Sequence, residues 1–237
     1  MFLVLINLQF HNLYKSIIIR EIMVLMDVKA VLYDLDGTII DTERMHEEAW
    51  IRVCAEYGVV PSAQMLLQQK GMTGEAAVKM MFPPSLRTDA QYIIRKETEY
   101  ALKNVAQVRI HAGFMEAYNV LTANPVGVAV CTSALPNLVS AVLDVLPELQ
   151  CLRDRIICKG MYTKGKPSAE PLLAGLRELG LPETTPAMYV GDAFMDYLSA
   201  QNAGMRFVYF CPDDSRKDER IPDTVPIIKD HRELLGL

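Results

Sequence analysis

Five short apolar runs, each followed by a break that contains a glycine, a threonine or an aspartate, constrain this chain more than any other feature. They fall at residues 30–33, 127–131, 155–158, 187–190 and 206–210, and stretches of helical periodicity lie between most of them. Strands buried on both faces read as continuous apolar runs, and strands separated by helices pair in parallel. The pattern predicts an α/β fold: a parallel sheet flanked by helices at about 113–123, 137–145, 168–179 and 194–203, the last closed by Gly204 as a left-handed terminator. One interval breaks the alternation. Between the first run and Gly127 no strand is evident, and helical stretches follow one another near 42–57, 62–69, 74–81 and 88–103. A crossover helix needs only about a dozen residues. The surplus predicts an inserted all-helical subdomain over residues 43–111, on an α/β core formed by 27–42 and 112–237. In the first of these helices Met45 and Ala49 share one face, and His46, Trp50, Val53 and Tyr57 another.

Residues 1–26 read as an N-terminal extension. Leu3 to Phe10 is apolar, but no cationic region precedes it and no small-residue cleavage site follows, as a secretory signal requires. Lys15, Arg20 and Glu21 interrupt it too early for a membrane span. Two readings fit: a stretch upstream of a start at Met23 or Met26, or a loosely docked amphipathic segment. Five cysteines, an odd number with no C-x-x-C pair, point to a reducing, cytoplasmic setting in which they serve as small buried apolar residues. A net charge of −5 argues against nucleic acid or an anionic membrane as the main partner. The expected state is a monomer or weak dimer, and any anionic substrate must be attracted by local devices.

Chemistry concentrates at the ends of the apolar runs. In "AVLYDLDGTIIDT" Asp34 and Asp36 follow the first run, and residues i and i+2 of an extended chain point to one side. They would share the carboxyl edge of the sheet, where open α/β folds bind ligands. One carboxylate could serve as nucleophile and metal ligand, the other as general acid and base; equally, D-x-D-G is a common turn. Thr132 and Ser133 end the second run, where a hydroxyl could also cap the next helix. Lys166 stands between Gly165 and Pro167, where a lysine is by default solvated. Asp192 and Asp196 follow the fourth run, where both could serve the start of a helix. Each alone has an ordinary explanation. Together, at the same edge, they make a coincidence improbable. A competing phosphate loop, G-x-x-x-x-G-K from Gly160 to Lys166, has Pro167 where the metal-binding hydroxyl belongs and leaves Asp34 and Asp36 without a role.

Taken in order, D-x-D-G-T, an apolar run ending in Thr-Ser, G-K-P and G-D-x-x-x-D resemble the haloacid dehalogenase superfamily of phosphotransferases, over the whole chain from Asp27. The insertion resembles the helical cap of its phosphoglycolate phosphatase-like and β-phosphoglucomutase-like branch. This resemblance implies a Rossmann-like core in which Asp34 attacks phosphorus to form an aspartyl-phosphate and Asp36 acts as acid, then base. It implies a Mg2+ ion on Asp34, the Asp36 backbone carbonyl and Asp192, phosphoryl contacts from Thr132, Ser133 and Lys166, and a supporting role for Asp196. Carbon–halogen displacement would need neither Asp36 nor the metal. The substrate class implied is a small phosphorylated metabolite, such as a sugar phosphate, phosphoglycolate or a nucleotide. His46 and Trp50 also fit the mutase pattern. However, Gly74 stands where the mutases place an arginine, and Lys70 nearby is a point charge rather than a fork. Hydrolysis is therefore the expected outcome. A catalytically dead binding protein is expected to lack Asp34 or Asp36, and both are present. Lys70, Thr73, Arg87, Arg95 and Lys96 are the cap candidates for substrate contact.

Overall fold

In the computed structural model, which describes residues 28–237, strand β1 (Ala30–Tyr33) is buried throughout and lies at the centre of the sheet. The reading of residues 1–26 lies outside the described residues. Strands β4 (Gly127–Cys131) and β6 (Ala187–Gly191) pair with β1 in parallel on its two sides, Tyr33 standing opposite both Val130 and Val190. Outward from these lie β5 (Ile156–Ile157) on one side and β7 (Arg206–Phe210) then β8 (Ile227–Ile228) on the other, giving the order β5-β4-β1-β6-β7-β8. The chain reverses direction of sheet growth at β1, so the crevice beyond the carboxyl end of β1 is where such a sheet accepts a ligand.

Alternation along the strands builds two apolar layers. Val31, Tyr33, Val128, Val130 and Val190 pack under α5 (Phe114–Ala123) and α6 (Pro136–Val145). Leu32, Ala129, Cys131 and Tyr189 pack under α7 (Glu170–Glu178) and α8 (Phe194–Ala203). At Gly175 α7 comes so close to the sheet that a Cβ would lie 2.7 Å from the Cys131 sulfur.

The long interval holds α1 (Glu43–Glu56), α2 (Ala63–Gln68), α3 (Gly74–Met81) and α4 (Ala90–Asn104). Ser62 and Thr73 start α2 and α3 by accepting from the amides of Met65 and Ala76. These helices enclose a cluster of their own, including Trp50, Val53, Val78, Met81, Phe82 and Ile93. Met45, Ala49 and Ala101 instead join the cluster under the sheet, rooting α1 and α4 in the core.

Three features depart from the sequence expectations. Where the chain leaves and re-enters the sheet region, β2 (Ile40–Asp41) and β3 (Arg109–Ile110) form a two-residue antiparallel ladder in the stretch between the first run and Gly127, where no strand is expected. Strand β5 is shorter than the run at 155–158, because Pro147–Arg155 winds as 3-10 turns up to its edge. Cys151 is exposed, contrary to its expected burial, whereas Cys54, Cys131, Cys158 and Cys211 are buried. Among the described residues no helix is long and apolar enough to cross a membrane.

Candidate active site

The backbone amide of Asp34 still donates to the Val190 carbonyl at 2.9 Å, so the β1–β6 ladder carries this carboxylate to the edge of the sheet. The loop then turns through Gly37, whose φ of +79° favours glycine. Space demands the same residue: a Cβ there would lie 2.4 Å from Asp192 Oδ2. Thr38, one position on, donates to Asp192 Oδ1 at 2.9 Å. The loops after β1 and β6 are thus locked together at Asp192, which does not cap α8.

Lys166 is fully buried, its Nζ 2.6 Å from Asp34 Oδ1 and 2.7 Å from Asp196 Oδ1. Tyr189 donates to Asp196 Oδ1 at 2.9 Å and the Ala193 amide to Asp196 Oδ2 at 3.0 Å. Asp196 therefore serves the start of α8 and holds the lysine at once. The resemblance suggests that Lys166 contacts the phosphoryl group; the structure places its ammonium between two carboxylates. Glu170 accepts from the amides of Thr163 and Lys164 at 2.7 and 2.9 Å, so the G-x-x-x-x-G-K segment is not an open phosphate loop.

Asp36 occupies a different environment, on the cleft side. Its carboxylate accepts from Thr42 at 3.1 Å and Thr132 at 3.2 Å, and His46 Nε2 stands 3.5 Å away. The other imidazole nitrogen meets Glu97 Oε1 at 2.8 Å, joining α1 to α4. Ser133 donates to the Gly71 carbonyl at 3.2 Å and so ties the core edge to the loop before α3. Sequence reasoning missed Thr38, Thr42, Glu97 and Tyr189. Of these only Thr38, inside D-x-D-G-T, carried a signal.

These surroundings push the two first-loop carboxyls apart. Burial raises Asp34 well above the ordinary aspartate range, against the pull of Lys166, and the neighbouring aspartates add to the rise. Burial also works against ionised Asp36, but His46 and the two threonine hydroxyls outweigh it and hold Asp36 below that range. Burial disfavours the charged form of His46 too, yet Glu97 and Asp36 raise it to about 10. Asp192 is raised by burial to about 6.

Oxygens of Asp34, Asp192 and Asp196 lie within 4.8 Å of one another. Both oxygens of Asp196 are engaged by Lys166, Tyr189 and Ala193, whereas Oδ2 of Asp34 and of Asp192 make none of the hydrogen bonds described above. Four aspartates against one buried lysine and one histidine leave excess negative charge, and an all-oxygen donor set suits a hard divalent cation. The residues fit a Mg2+ ion.

Above this edge opens a cleft of about 630 Å³. His46, Trp50 and Lys70 line it, although Trp50 also packs within the helical cluster and Lys70 pairs with Glu43. Arg95 lines it as well. Thr73 caps α3, Arg87 donates to the Phe82 carbonyl, and Lys96 lies near the Tyr92 and Tyr100 rings; none of the three lines the cleft.

The sequence profile of haloacid dehalogenase-like hydrolases matches residues 31–210. Among curated proteins the chain is similar to validoxylamine A 7'-phosphate phosphatase of Streptomyces hygroscopicus subsp. limoneus, 28% identical over 178 residues that cover 75% of this chain and 83% of that one. It is also similar to N-acetylmuramic acid 6-phosphate phosphatase of Pseudomonas aeruginosa, 26% identical over 199 residues, 80% and 87% of the two chains. The crystal structure of β-phosphoglucomutase from Clostridium difficile superposes with a TM-score of 0.69 at 16% identity, covering 87% of this chain and 93% of that one, a likeness of fold. The profile begins on β1 and ends on β7, taking in both aspartate loops and the helical insertion between them, and so the chain belongs to the haloacid dehalogenase-like hydrolases.

Proposed function

We propose that the protein is a Mg2+-dependent phosphatase that hydrolyses a small phosphomonoester through an aspartyl-phosphate on Asp34, with residues 43–111 as a cap over a core of 27–42 and 112–237. The observation that carries this reading is the separation of Asp34 and Asp36 into two environments, one against Lys166 and the other against His46. A carboxylate oxygen of Asp34 attacks phosphorus while the ester oxygen leaves, and Asp36 delivers the proton that the leaving alkoxide needs. Water then attacks the aspartyl-phosphate, its proton passing to Asp36, and Asp34 returns as a carboxylate with inorganic phosphate released. Because the resting site favours ionised Asp36 and protonated His46, the proton for the first step comes through Asp36 from the imidazolium. Lys166 balances the charge of Asp34 and Asp196, and Thr132 orients Asp36. Asp34, Asp192 and the Asp36 carbonyl would hold Mg2+, which when bound supplies positive charge to the phosphoryl oxygens.

The fold it shares with a mutase makes isomerisation the reading to test against. A mutase must grip a second phosphate in its cap. Gly74 opens α3 directly beneath Ile94, whose side chain would lie 2.8 Å from an added Cβ, and Lys70 is already engaged by Glu43. The cap thus offers no arginine fork at this point. Incubation with β-glucose 1-phosphate, Mg2+ and a trace of glucose 1,6-bisphosphate is expected to release inorganic phosphate without glucose 6-phosphate. Glucose 6-phosphate accumulating faster than free phosphate would overturn the phosphatase assignment.

A further inference from the structure

We propose that the cleft selects phosphomonoesters of an uncharged, ring-sized alcohol and rejects esters that carry a second anionic group. This rests on the phosphatase reading above and names its substrate class. Besides Lys166, which is buried beneath the cleft, four groups near the acceptor space can carry positive charge: His46, Lys70, Arg95 and Lys159. Each is matched to a glutamate that also lines the cleft. His46 meets Glu97 at 2.8 Å, Lys159 meets Glu75 at 2.8 Å, Lys70 pairs with Glu43, and Arg95 stands 3.9 Å from Glu99 with its guanidinium over the Tyr92 ring. Glu47 brings a fifth carboxylate to the lining. Arg216 approaches Glu47 to 3.9 Å, but it also pairs with Glu43.

A carboxylate or second phosphate on the substrate would therefore face glutamates, and each cation it could reach already has a glutamate beside it. Like charges brought together without compensation are an effective means of rejecting the wrong ligand. The rest of the lining suits a neutral acceptor. Trp50, Ile94, Leu102 and Leu138 give apolar surface, and Gln69 and Asn137 bring amides able to bond hydroxyls. Size points the same way. A cleft of 630 Å³ holds about 20 waters at liquid density, far more than a two-carbon acid would displace.

The test is kcat/KM, with phosphate release as readout, for p-nitrophenyl phosphate, a hexose monophosphate, the corresponding hexose bisphosphate and phosphoglycolate. The hexose monophosphate is expected to exceed both anionic esters by at least about tenfold. Glu75→Gln, which frees Lys159, and separately Glu43→Gln, which frees Lys70, should raise the anionic-to-neutral ratio at least about threefold in protein of unchanged circular dichroism. Phosphoglycolate or the bisphosphate turned over as well as the monophosphate would overturn the proposal, as would a ratio that neither variant moves. The aryl ester separates the two levels. If it is hydrolysed and the ratios fail, only the specificity falls; if no ester is hydrolysed, the phosphatase reading falls and this inference with it.

Discussion

Asp34→Asn is expected to lower kcat on p-nitrophenyl phosphate by at least about a thousandfold, roughly 4 kcal/mol of barrier, without loss of the fold. The amide keeps the size and most of the hydrogen-bonding capacity of the carboxylate but cannot attack phosphorus. The same substitution is expected to leave the metal-free protein no less stable. A buried carboxyl whose pKa is raised prefers to be protonated, so its ionisation as pH climbs above the ordinary value of 3.8 works against folding. At neutral pH the charged Asp34 is thus a source of local destabilisation, of the kind often found where function sets the residue. Matched circular dichroism and thermal melts check this half of the expectation. Activity within about tenfold of the parent would remove Asp34 from the chemistry.

Lys166→Met is expected to abolish activity as well, and to cost the fold about 3–5 kcal/mol. Asp34 and Asp196 are both buried, and Lys166 bridges them at 2.6 and 2.7 Å. Removing the ammonium leaves two carboxylates facing each other, a far larger penalty than the loss of an exposed ion pair. Urea unfolding of metal-free protein measures the change. Because the loss comes from the stranded charges, adding Asp34→Asn to Lys166→Met should recover part of the stability. An unchanged urea midpoint in the single variant, or strict additivity in the double, would show that the buried triad is not coupled.

How much of this was legible in the sequence depended on where the information lay. The five runs that form β1, β4, β5, β6 and β7 are continuous and apolar because both faces of the sheet are covered, and such runs stand out. Strands β2, β3 and β8 contain two residues each, as β5 does, but were not singled out as apolar runs, and are fixed by their partners rather than by their own residues. The same division holds in the site. Asp34, Asp36, Asp192 and Asp196 were readable because acids at the ends of apolar runs are rare and come in a fixed order. Lys166 read by default as a surface residue, since the carboxylates that bury it are 132 and 30 positions away. Glu97 was invisible. An acid in a charged helix predicts solvent, and only the packing of α4 on α1 turns it toward His46.

The stereochemical course at phosphorus tests the central claim, an aspartyl-phosphate on Asp34, most directly. Each in-line displacement inverts configuration, so transfer first to Asp34 and then to water gives net retention. Attack by water on the ester itself gives inversion. Hydrolysis of an isotopically chiral phosphorothioate ester in heavy-oxygen water, with the configuration of the product thiophosphate read by phosphorus NMR, distinguishes the two whatever the relative rates of the steps. Retention is the predicted result. Inversion would contradict the covalent route and leave Asp34 as, at most, a group that binds the metal and orients water.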